Sequence, residues 1–298
     1  GTISPHSGRS RRRDTYAVAD PAPDPAPDPA AFTRFEEQGW DRIPGGYDRL
    51  LGPVTAQAAG ALLDAAGAGA ASTVLDVATG PGYIAGRALA RGATVIAVDL
   101  SEAMVAYARQ AHPGLDVRRA DAHELPFADG SFTAAVAGFL LPHVADPARM
   151  VAEVARVVAP GGRLALSMWD QPERSPFLGA IVSAVAEVGA EPTGLPEGPP
   201  FFAYADPERL RGLLAGAGLQ AVEVTPLAFR HRVGTAAELW DAVVGGTVRT
   251  SALVTSQAPE RQRAIRAAFE RIVAAYGEPL DLGVSVLIAS GTKVFAPR

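Results

Sequence analysis

The stretch TVLDVATGPG, residues 73–82, decides the fold of this chain. Its first half, residues 73–77, has the composition of a buried strand, and a helix is predicted directly after the stretch, over residues 83–91. Gly80 and Gly82 let the backbone turn tightly and approach a ligand closely. The helix that follows begins with backbone N–H groups that have no partner inside the helix. The stretch therefore predicts a ligand-binding loop between a strand and a helix.

Strand and helix signals alternate along most of the chain. The predicted strands are 73–77, 94–98, 115–118, 133–137, 163–168 and 220–225, and a closing hairpin pairs 284–288 with 294–295 around Ser290-Gly291. The predicted helices are 53–66, 83–91, 102–110, 147–158, 178–188, 206–217, 235–244 and 259–276. This alternation is typical of crossover units on a parallel sheet. We predict an α/β fold with a doubly wound, Rossmann-like, mostly parallel seven-stranded sheet and helical lid insertions.

The domain organisation follows from composition. Pro alternates with Ala and Asp over residues 21–29, so residues 1–30 are predicted to be a disordered or extended tail. Four arginines, at positions 9 and 11–13, lie in that tail, and we interpret the basic stretch that they form as solvated. Residues 31–298 are predicted to form one domain. The aromatic residues of its first 20 positions indicate a flap, and segments near 170–205 and 230–280 are expected to form lids.

Composition excludes several classes of function. The chain has 298 residues, 48% of them hydrophobic, which is enough for a substantial core. Its 27 basic and 32 acidic residues give a net charge of -5, which disfavours nucleic-acid and membrane partners. The absence of cysteine excludes disulfides and thiolate metal sites, and we expect no metal. No apolar run approaches the roughly 20 residues of a membrane span. We expect a cytoplasmic monomer or homodimer that acts on a small molecule.

The acidic residues around the glycine loop indicate which ligand it binds. Asp99 ends the second strand, 17 residues after Gly82, where a carboxylate can accept hydrogen bonds from both ribose hydroxyls. The spacing Gly80-x-Gly82-x-x-Ala85 also satisfies the relaxed dinucleotide fingerprint. However, Asp76 would repel a pyrophosphate and could hold an ammonium group directly or through water. A nucleoside that carries an amino acid therefore fits better.

Four ordered segments resemble the class I S-adenosylmethionine-dependent methyltransferases, especially the small-molecule branch that includes the ubiquinone/menaquinone C-methyltransferases. They are Asp76–Gly82, Val95–Asp99 with Ser101 and Met104, Asp121 with Leu125-Pro126-Phe127, and 156–162. The resemblance covers residues 47–170 strongly and implies S-adenosylmethionine as cofactor and S-adenosylhomocysteine as product. It also implies the cofactor-binding residues, which are Asp76, Ala78, Thr79, Gly80 and Gly82 for the methionine moiety, Asp99 for the ribose, and Leu100, Met104, Asp121 and Ala122 for the adenine.

This sequence departs from the family pattern in places. Ala78 stands where the pattern usually has its first glycine, and Thr133 stands where a Phe-Asp pair normally opens the fourth strand. Asp121 taken alone could equally cap its loop. The departures weaken inference about catalysis more than inference about the cofactor.

His143 is the predicted catalytic residue. It follows the fourth strand, at the edge of an open α/β sheet where ligands bind, and histidine is the natural base at neutral pH. It could instead be a structural histidine beside the Asp146 helix cap. The predicted substrate-binding residues are Trp40, Tyr47, Trp169, Phe201, Tyr204 and His231, although each could also serve core packing or, for His231, a solvated basic edge.

The expected function is methyl transfer to O, N or C of a small apolar molecule, with natural-product biosynthesis as the expected setting. One alternative keeps the cofactor but catalyses cyclisation or rearrangement, because fold does not specify chemistry. A second is a nicotinamide oxidoreductase, for which no Tyr-x-x-x-Lys pair is recognisable. A third is a non-catalytic protein that holds the cofactor. Release of S-adenosylhomocysteine separates methyl transfer from rearrangement.

Overall fold

A computed structural model describes residues 28–295 of the chain. The strands are β1 (Thr73–Val77), β2 (Thr94–Asp99), β3 (Asp116–Arg119), β4 (Phe132–Gly138), β5 (Val158–Trp169), β6 (Leu219–Val233) and β7 (Leu280–Lys293). The α-helices are α1 (Pro29–Arg42), α2 (Pro44–Leu50), α3 (Gly52–Thr55), α4 (Ala59–Ala65), α5 (Tyr83–Ala90), α6 (Glu102–Ala111), α7 (Pro147–Val157), α8 (Pro176–Val188), α9 (Pro207–Gly216), α10 (Ala236–Trp240), α11 (Arg249–Thr255) and α12 (Pro259–Val273).

The strands form one seven-stranded sheet in the order β3-β2-β1-β4-β5-β7-β6. Strands β1 to β5 run parallel, and β7 runs antiparallel to both of its neighbours. The predicted doubly wound, mostly parallel sheet is therefore confirmed. Because β2 and β4 lie on opposite sides of β1, the strand order reverses at β1 and opens a crevice at the carboxyl ends of these strands.

The core lies on both faces of the central strands. Residues 74–77 of β1 are all buried, as expected for a parallel strand covered by helices on both faces. Leu62 and Leu63 of α4 and Val154 of α7 are fully buried within the same cluster. Asp146 accepts a hydrogen bond from the backbone N–H of Arg149, which confirms it as the cap of α7.

The predicted flap is helical. Helices α1 and α2 form an N-terminal cap, residues 29–50, whose acidic side chains bind residues of α5 and of α6 with its N-cap. Asp41 accepts hydrogen bonds from Ser101 Oγ at 2.6 Å and from the Ala103 N–H at 3.2 Å. The Asp48 carboxylate accepts hydrogen bonds from the hydroxyl groups of Tyr83 and Tyr107. These contacts hold the cap over the ends of β1 and β2.

The start of the domain differs slightly from its prediction. Asp28 caps α1, whose first residue is Pro29, two residues before the predicted boundary. Most of the predicted linker and all four arginines lie outside the described residues. Within residues 28–295, none of the helices combines the length and the apolar character needed to cross a membrane.

The carboxyl-terminal prediction of a hairpin around Ser290-Gly291 is wrong. Both residues lie inside the continuous strand β7, which pairs with β5 on one side and β6 on the other. Double pairing keeps the backbone extended through a dipeptide that would otherwise favour a turn. The same pairing extends β6 to 15 residues, well beyond the predicted 220–225.

Helices do interrupt the connection from β6 to β7, as predicted. The predicted helix over 235–244 is shorter as an α-helix, because α10 passes into a π-helical turn at Asp241–Gly245. Helix α11 was not predicted as a separate element, and it brings Arg249 toward the sheet edge.

Candidate active site

The glycine loop after β1 is held in left-handed backbone conformations. Ala78, Gly80 and Gly82 have φ values of +57°, +53° and +90°. A Cβ at Gly80 would meet no atom within 4 Å, whereas a Cβ at Gly82 would lie 2.7 Å from Cδ2 of His112. Gly80 therefore leaves open space in front of the loop for a ligand. Gly82 instead permits close packing of the His112 ring and does not line the cavity.

Asp76 lies behind this loop. Its Oδ2 accepts hydrogen bonds from Thr79 Oγ1 at 2.7 Å and from the Ala85 N–H at 3.0 Å, so the carboxyl group braces the loop. Oδ1 is buried without a hydrogen-bond partner among residues 28–295. Burial raises the pKa of Asp76 to about 7. Asp76 is not part of the cavity wall, and its contact with an ammonium group stays a prediction that would use Oδ1.

Asp99 faces the cavity from the end of β2. Its Oδ2 accepts a hydrogen bond from the Gly80 N–H at 2.8 Å, and its Oδ1 accepts one from the Ser101 N–H at 3.0 Å. The residue is only 8% exposed, and burial raises its pKa to about 6. A carboxylate has about four lone-pair sites, so two remain for hydroxyl donors such as those of a ribose.

Asp121 follows β3, the strand next to β2, which ends at Asp99. Its Oδ1 accepts hydrogen bonds from the backbone N–H and from the ring Nδ1 of His123, both at 2.8 Å. The hydrogen bond from His123 holds the pKa of Asp121 below its usual value. Asp121 thus caps its loop, and it also lines the cavity beside Ala122 and Met104.

A single cavity joins these residues to the N-terminal cap. Its lining runs without interruption from the glycine loop after β1 to residues of α1 and α2. The predicted site residues that line it are Trp40, Tyr47, Ala78, Thr79, Gly80, Asp99, Leu100, Met104, Asp121, Ala122, His143, Trp169 and Phe201. The residues at its loop end fit a nucleoside with an amino-acid moiety, because Gly80 leaves room and Asp99 offers free lone pairs.

Two predicted substrate residues lie outside this cavity wall. His231 is on the edge strand β6, where its Nδ1 is 3.4 Å from Gln57 Nε2 and its ring meets the Phe177 ring edge-on at 5.8 Å. Tyr204 is half-buried before α9 and packs against the core. Tyr204 was expected at the site because it is aromatic, and His231 was expected there because it follows a predicted strand. The edge position of β6 takes His231 away from the crevice at β1.

Aromatic rings form the other end of the cavity. The Trp40 ring meets the rings of Tyr47 and His143 edge-on, with centroids 5.6 and 5.2 Å apart. Phe201 meets His143 edge-on at 5.9 Å. Tyr47 also hydrogen-bonds Thr55 through its hydroxyl group, and burial raises its pKa to about 12. This end can hold a flat apolar molecule and exclude water.

His143 stands where the aromatic end begins. It ends a short 3-10 turn directly after β4, and its Nδ1 lies 3.0 Å from Glu36 Oε2. Trp40 Nε1–H donates to the same oxygen at 3.0 Å. Asp146, the cap of α7, donates a hydrogen bond from its backbone N–H to Nε2 of His123 rather than to His143. The structure therefore brings His143 to the cavity, held by a residue of the N-terminal cap.

Two charged residues at this end carry no local sequence signal. Glu36 lines the cavity from α1, and Arg249 lines it from α11. Arg249 Nη1 donates to the carbonyl oxygens of Pro142 at 2.9 Å and Pro199 at 2.8 Å. Its guanidinium lies 5.7 Å from the centroid of the Phe201 ring, and burial lowers its pKa. Neither residue belongs to a local motif, so only tertiary packing reveals them.

Comparisons with known proteins agree with this geometry. The methyltransferase domain family matches residues 75–166. A demethylmenaquinone methyltransferase of Thermus thermophilus is 36% identical over 165 residues, 49% of this chain and 73% of that protein. One from Renibacterium salmoninarum is 38% identical over 116 residues, 39% of this chain and 49% of that protein. An ubiquinone biosynthesis O-methyltransferase of Hahella chejuensis is 33% identical, over 54% of this chain and 70% of that protein.

Solved structures show the same fold. The YcgJ protein of Bacillus subtilis has a TM-score of 0.52 at 19% identity, covering 80% of this chain and 99% of that one. Phosphoethanolamine N-methyltransferase 2 of Haemonchus contortus, solved with S-adenosylhomocysteine, has a TM-score of 0.52 at 14% identity, covering 89% of this chain and 60% of that one. The matched segment spans about half the length of the first demethylmenaquinone methyltransferases, 49% in each.

Proposed function

This chain belongs to the class I S-adenosylmethionine-dependent methyltransferases, and from that membership we propose that it methylates a small, largely apolar acceptor with a hydroxylated aromatic ring. The observation that carries the proposal is the single cavity with two unlike ends. One end presents a glycine loop and carboxylates, and the other presents aromatic rings around His143. The named relatives are demethylmenaquinone and ubiquinone-biosynthesis methyltransferases, which supports an acceptor of the quinol kind.

The loop end would hold the cofactor. Gly80 leaves space in front of the loop, and Asp99, Asp121 and Met104 line the cavity there. Asp99 would accept hydrogen bonds from the ribose hydroxyls, and Asp121 and Met104 would hold the adenine. When bound, the cofactor supplies a methyl group on a positively charged sulfur, which is already activated for transfer. The protein then chiefly aligns the acceptor and excludes water. The rings of Trp40 and Phe201 perform this work at the other end.

His143 would act as the general base. A hydroxyl or carbon acceptor must lose a proton, and His143 lines the cavity between the loop and the aromatic rings. Its Nδ1 contacts Glu36, so Nε2 is the atom that can accept the proton. A base in this position is worth about 10²–10⁴ in rate.

Binding and turnover are tested separately. Calorimetry should show binding of S-adenosylmethionine and S-adenosylhomocysteine and none of NAD. NAD binding without binding of the sulfonium cofactor would refute the assignment. The matched variants are Asp99→Ala and Asp64→Ala, because Asp64 is exposed and pairs with Arg91 on the surface. Only the first should weaken cofactor binding.

For turnover, S-adenosylhomocysteine release is measured against a panel of phenols, naphthols, quinols and amines. Release with the hydroxylated aromatic members, and not with simple amines, is expected. Loss of an acceptor without stoichiometric release would point to the alternative chemistry, cyclisation or rearrangement. Release with amines alone would refute the acceptor class. If the methylated product is an intermediate of natural-product biosynthesis, the enzyme belongs to such a pathway. The proposed acceptor class does not depend on that outcome.

A further inference from the structure

Glu36 is a buried carboxylate that the cofactor site does not use. It lies on α1 with 1% of its surface exposed, yet it lines the cavity. Its Oε2 contacts both Trp40 and His143, and its Oε1 has no hydrogen-bond partner among residues 28–295. Burying a carboxylate is costly unless its partners stabilise it. A carboxylate kept in this position therefore calls for a reason beyond packing.

The contacts of Oε2 define the state of the His143 ring. The indole Nε1–H of Trp40 is a donor only, so Oε2 acts as an acceptor toward it. The nearest atom of His143 is Nδ1, 3.0 Å from the same oxygen, and because an ionised carboxylate is an acceptor only, Nδ1 would be the donor in this contact. A neutral imidazole that carries its proton on Nδ1 has a free lone pair on Nε2. The atom needed by a general base is thus the one left free.

We propose that Glu36 is a positioning residue that holds His143 in the Nδ1–H tautomer, with Nε2 available to the acceptor. The inference deepens the proposed methyl transfer and rests on it. The acceptor O–H proton passes to Nε2, and the bonding pair of that O–H stays on the acceptor oxygen. The imidazolium that forms lies against the Glu36 carboxylate, which keeps its charge and takes no proton.

The charges around this ring come from two elements. Glu36 reaches it from α1, and Arg249 of α11 binds the carbonyl oxygen of Pro142, the residue before His143. The other rings in contact, Trp40 and Phe201, are uncharged. Glu36 is therefore the negative charge in direct contact with the ring among the described residues. Because it belongs to the N-terminal cap, the base is complete only when α1 is packed in place.

Nitrogen NMR of the histidine rings tests the proposal without any acceptor. The full chain, ¹⁵N-labelled, is titrated from pH 4.5 to 9, and the His143 signals are assigned by their loss in His143→Gln. The neutral ring should show a protonated Nδ1 and an unprotonated Nε2. A protonated Nε2 in the neutral ring would overturn the proposal, whatever the variants do.

The variant Glu36→Gln keeps the shape of the side chain and removes its charge. The fraction of neutral His143 rings that carry their proton on Nδ1 should fall in this variant, because an amide oxygen accepts a hydrogen bond less strongly than a carboxylate does. The matched control is Glu37→Gln, the next residue of α1, whose carboxylate pairs with Arg119 on the surface. An unchanged Nδ1–H fraction, or an equal fall in both variants, would overturn the proposal.

Cofactor binding and folding are followed in the same samples. If Glu36→Gln does not fold, the tautomer of the unmodified protein decides the question alone. If the tautomer and its change in Glu36→Gln are as expected but the protein neither binds S-adenosylmethionine nor releases S-adenosylhomocysteine, the Glu36–His143 pair stands and the proposed function fails. If the cofactor binds and the expected tautomer is absent, the proposed function stands and the pair fails.

Discussion

The buried Asp76 should make the unliganded protein less stable as the pH rises. Its pKa is about 7 in the folded chain, compared with 3.8 for an ordinary aspartate. A carboxyl group whose pKa is raised on folding binds its proton more tightly in the folded state. Its contribution to stability is complete below pH 3.8 and is lost as the pH rises to about 7. A salt-bridged aspartate, whose pKa is lowered on folding, has the opposite effect: its contribution to stability increases as the pH rises.

The size of the effect follows from that interval. Between pH 5 and pH 7 the unfolded aspartate is ionised while the folded one stays largely protonated. Two pH units at about 1.36 kcal/mol each correspond to a loss of about 2–3 kcal/mol. Asp99, whose pKa is about 6, adds a smaller loss of the same sign. The substitution Asp76→Asn removes the first contribution and keeps an acceptor oxygen for Thr79 and Ala85.

Urea unfolding at pH 5, 6, 7 and 8, followed by circular dichroism, measures this difference. The unmodified protein should lose about 2–3 kcal/mol more unfolding free energy between pH 5 and pH 8 than Asp76→Asn does. Subtracting the two curves cancels the other titrating groups. The control Asp64→Asn, which removes an exposed carboxylate, should keep the steeper curve. Parallel curves for the unmodified protein and Asp76→Asn would refute the reasoning.

Four further outcomes are expected. Asp99→Ala should weaken S-adenosylmethionine binding in calorimetry by about 1.5–3 kcal/mol, and an unchanged affinity would remove Asp99 from the site. His143→Ala should lower kcat by about 10²–10⁴ with cofactor affinity retained, whereas a lower Tm with normal turnover would show a structural role. Gly82→Ala should cost about 1–3 kcal/mol in urea unfolding, because its φ is +90° and its Cβ would press on His112; full stability would contradict this. Asp48→Asn should speed tryptic cleavage within the N-terminal cap, because two tyrosine hydroxyls lose a charged partner; equal cleavage rates would count against it.

The glycine-loop end of the cavity could be predicted from the sequence because its signals are local. Asp99 is the last residue of β2, and the glycine loop and Asp121 follow β1 and β3 within a few residues. In a parallel sheet the carboxyl ends of neighbouring strands meet at one edge, so strand order alone brings these loops together. No long-range contact had to be known.

Local signals were misleading where tertiary pairing competed with them. Ser290-Gly291 has turn composition, but pairing of β7 with two strands keeps it extended. His231 follows a predicted short strand, but it lies within the longer edge strand β6, away from the cavity. Backbone hydrogen bonds to neighbours outweigh a weak local preference.

The sequence by itself determined the α/β sheet, the glycine loop and the carboxylates at the loop end of the cavity, because each depends on spacing within one strand–loop–helix unit. Only the tertiary structure decided the aromatic end. Glu36 and His143 are 107 residues apart, and Arg249 is again 107 residues from its partner Pro142. They come from the N-terminal cap, the end of β4 and the β6–β7 connection. Side-chain contacts between such distant elements depend on how their apolar faces pack, and no short pattern in the chain specifies that packing.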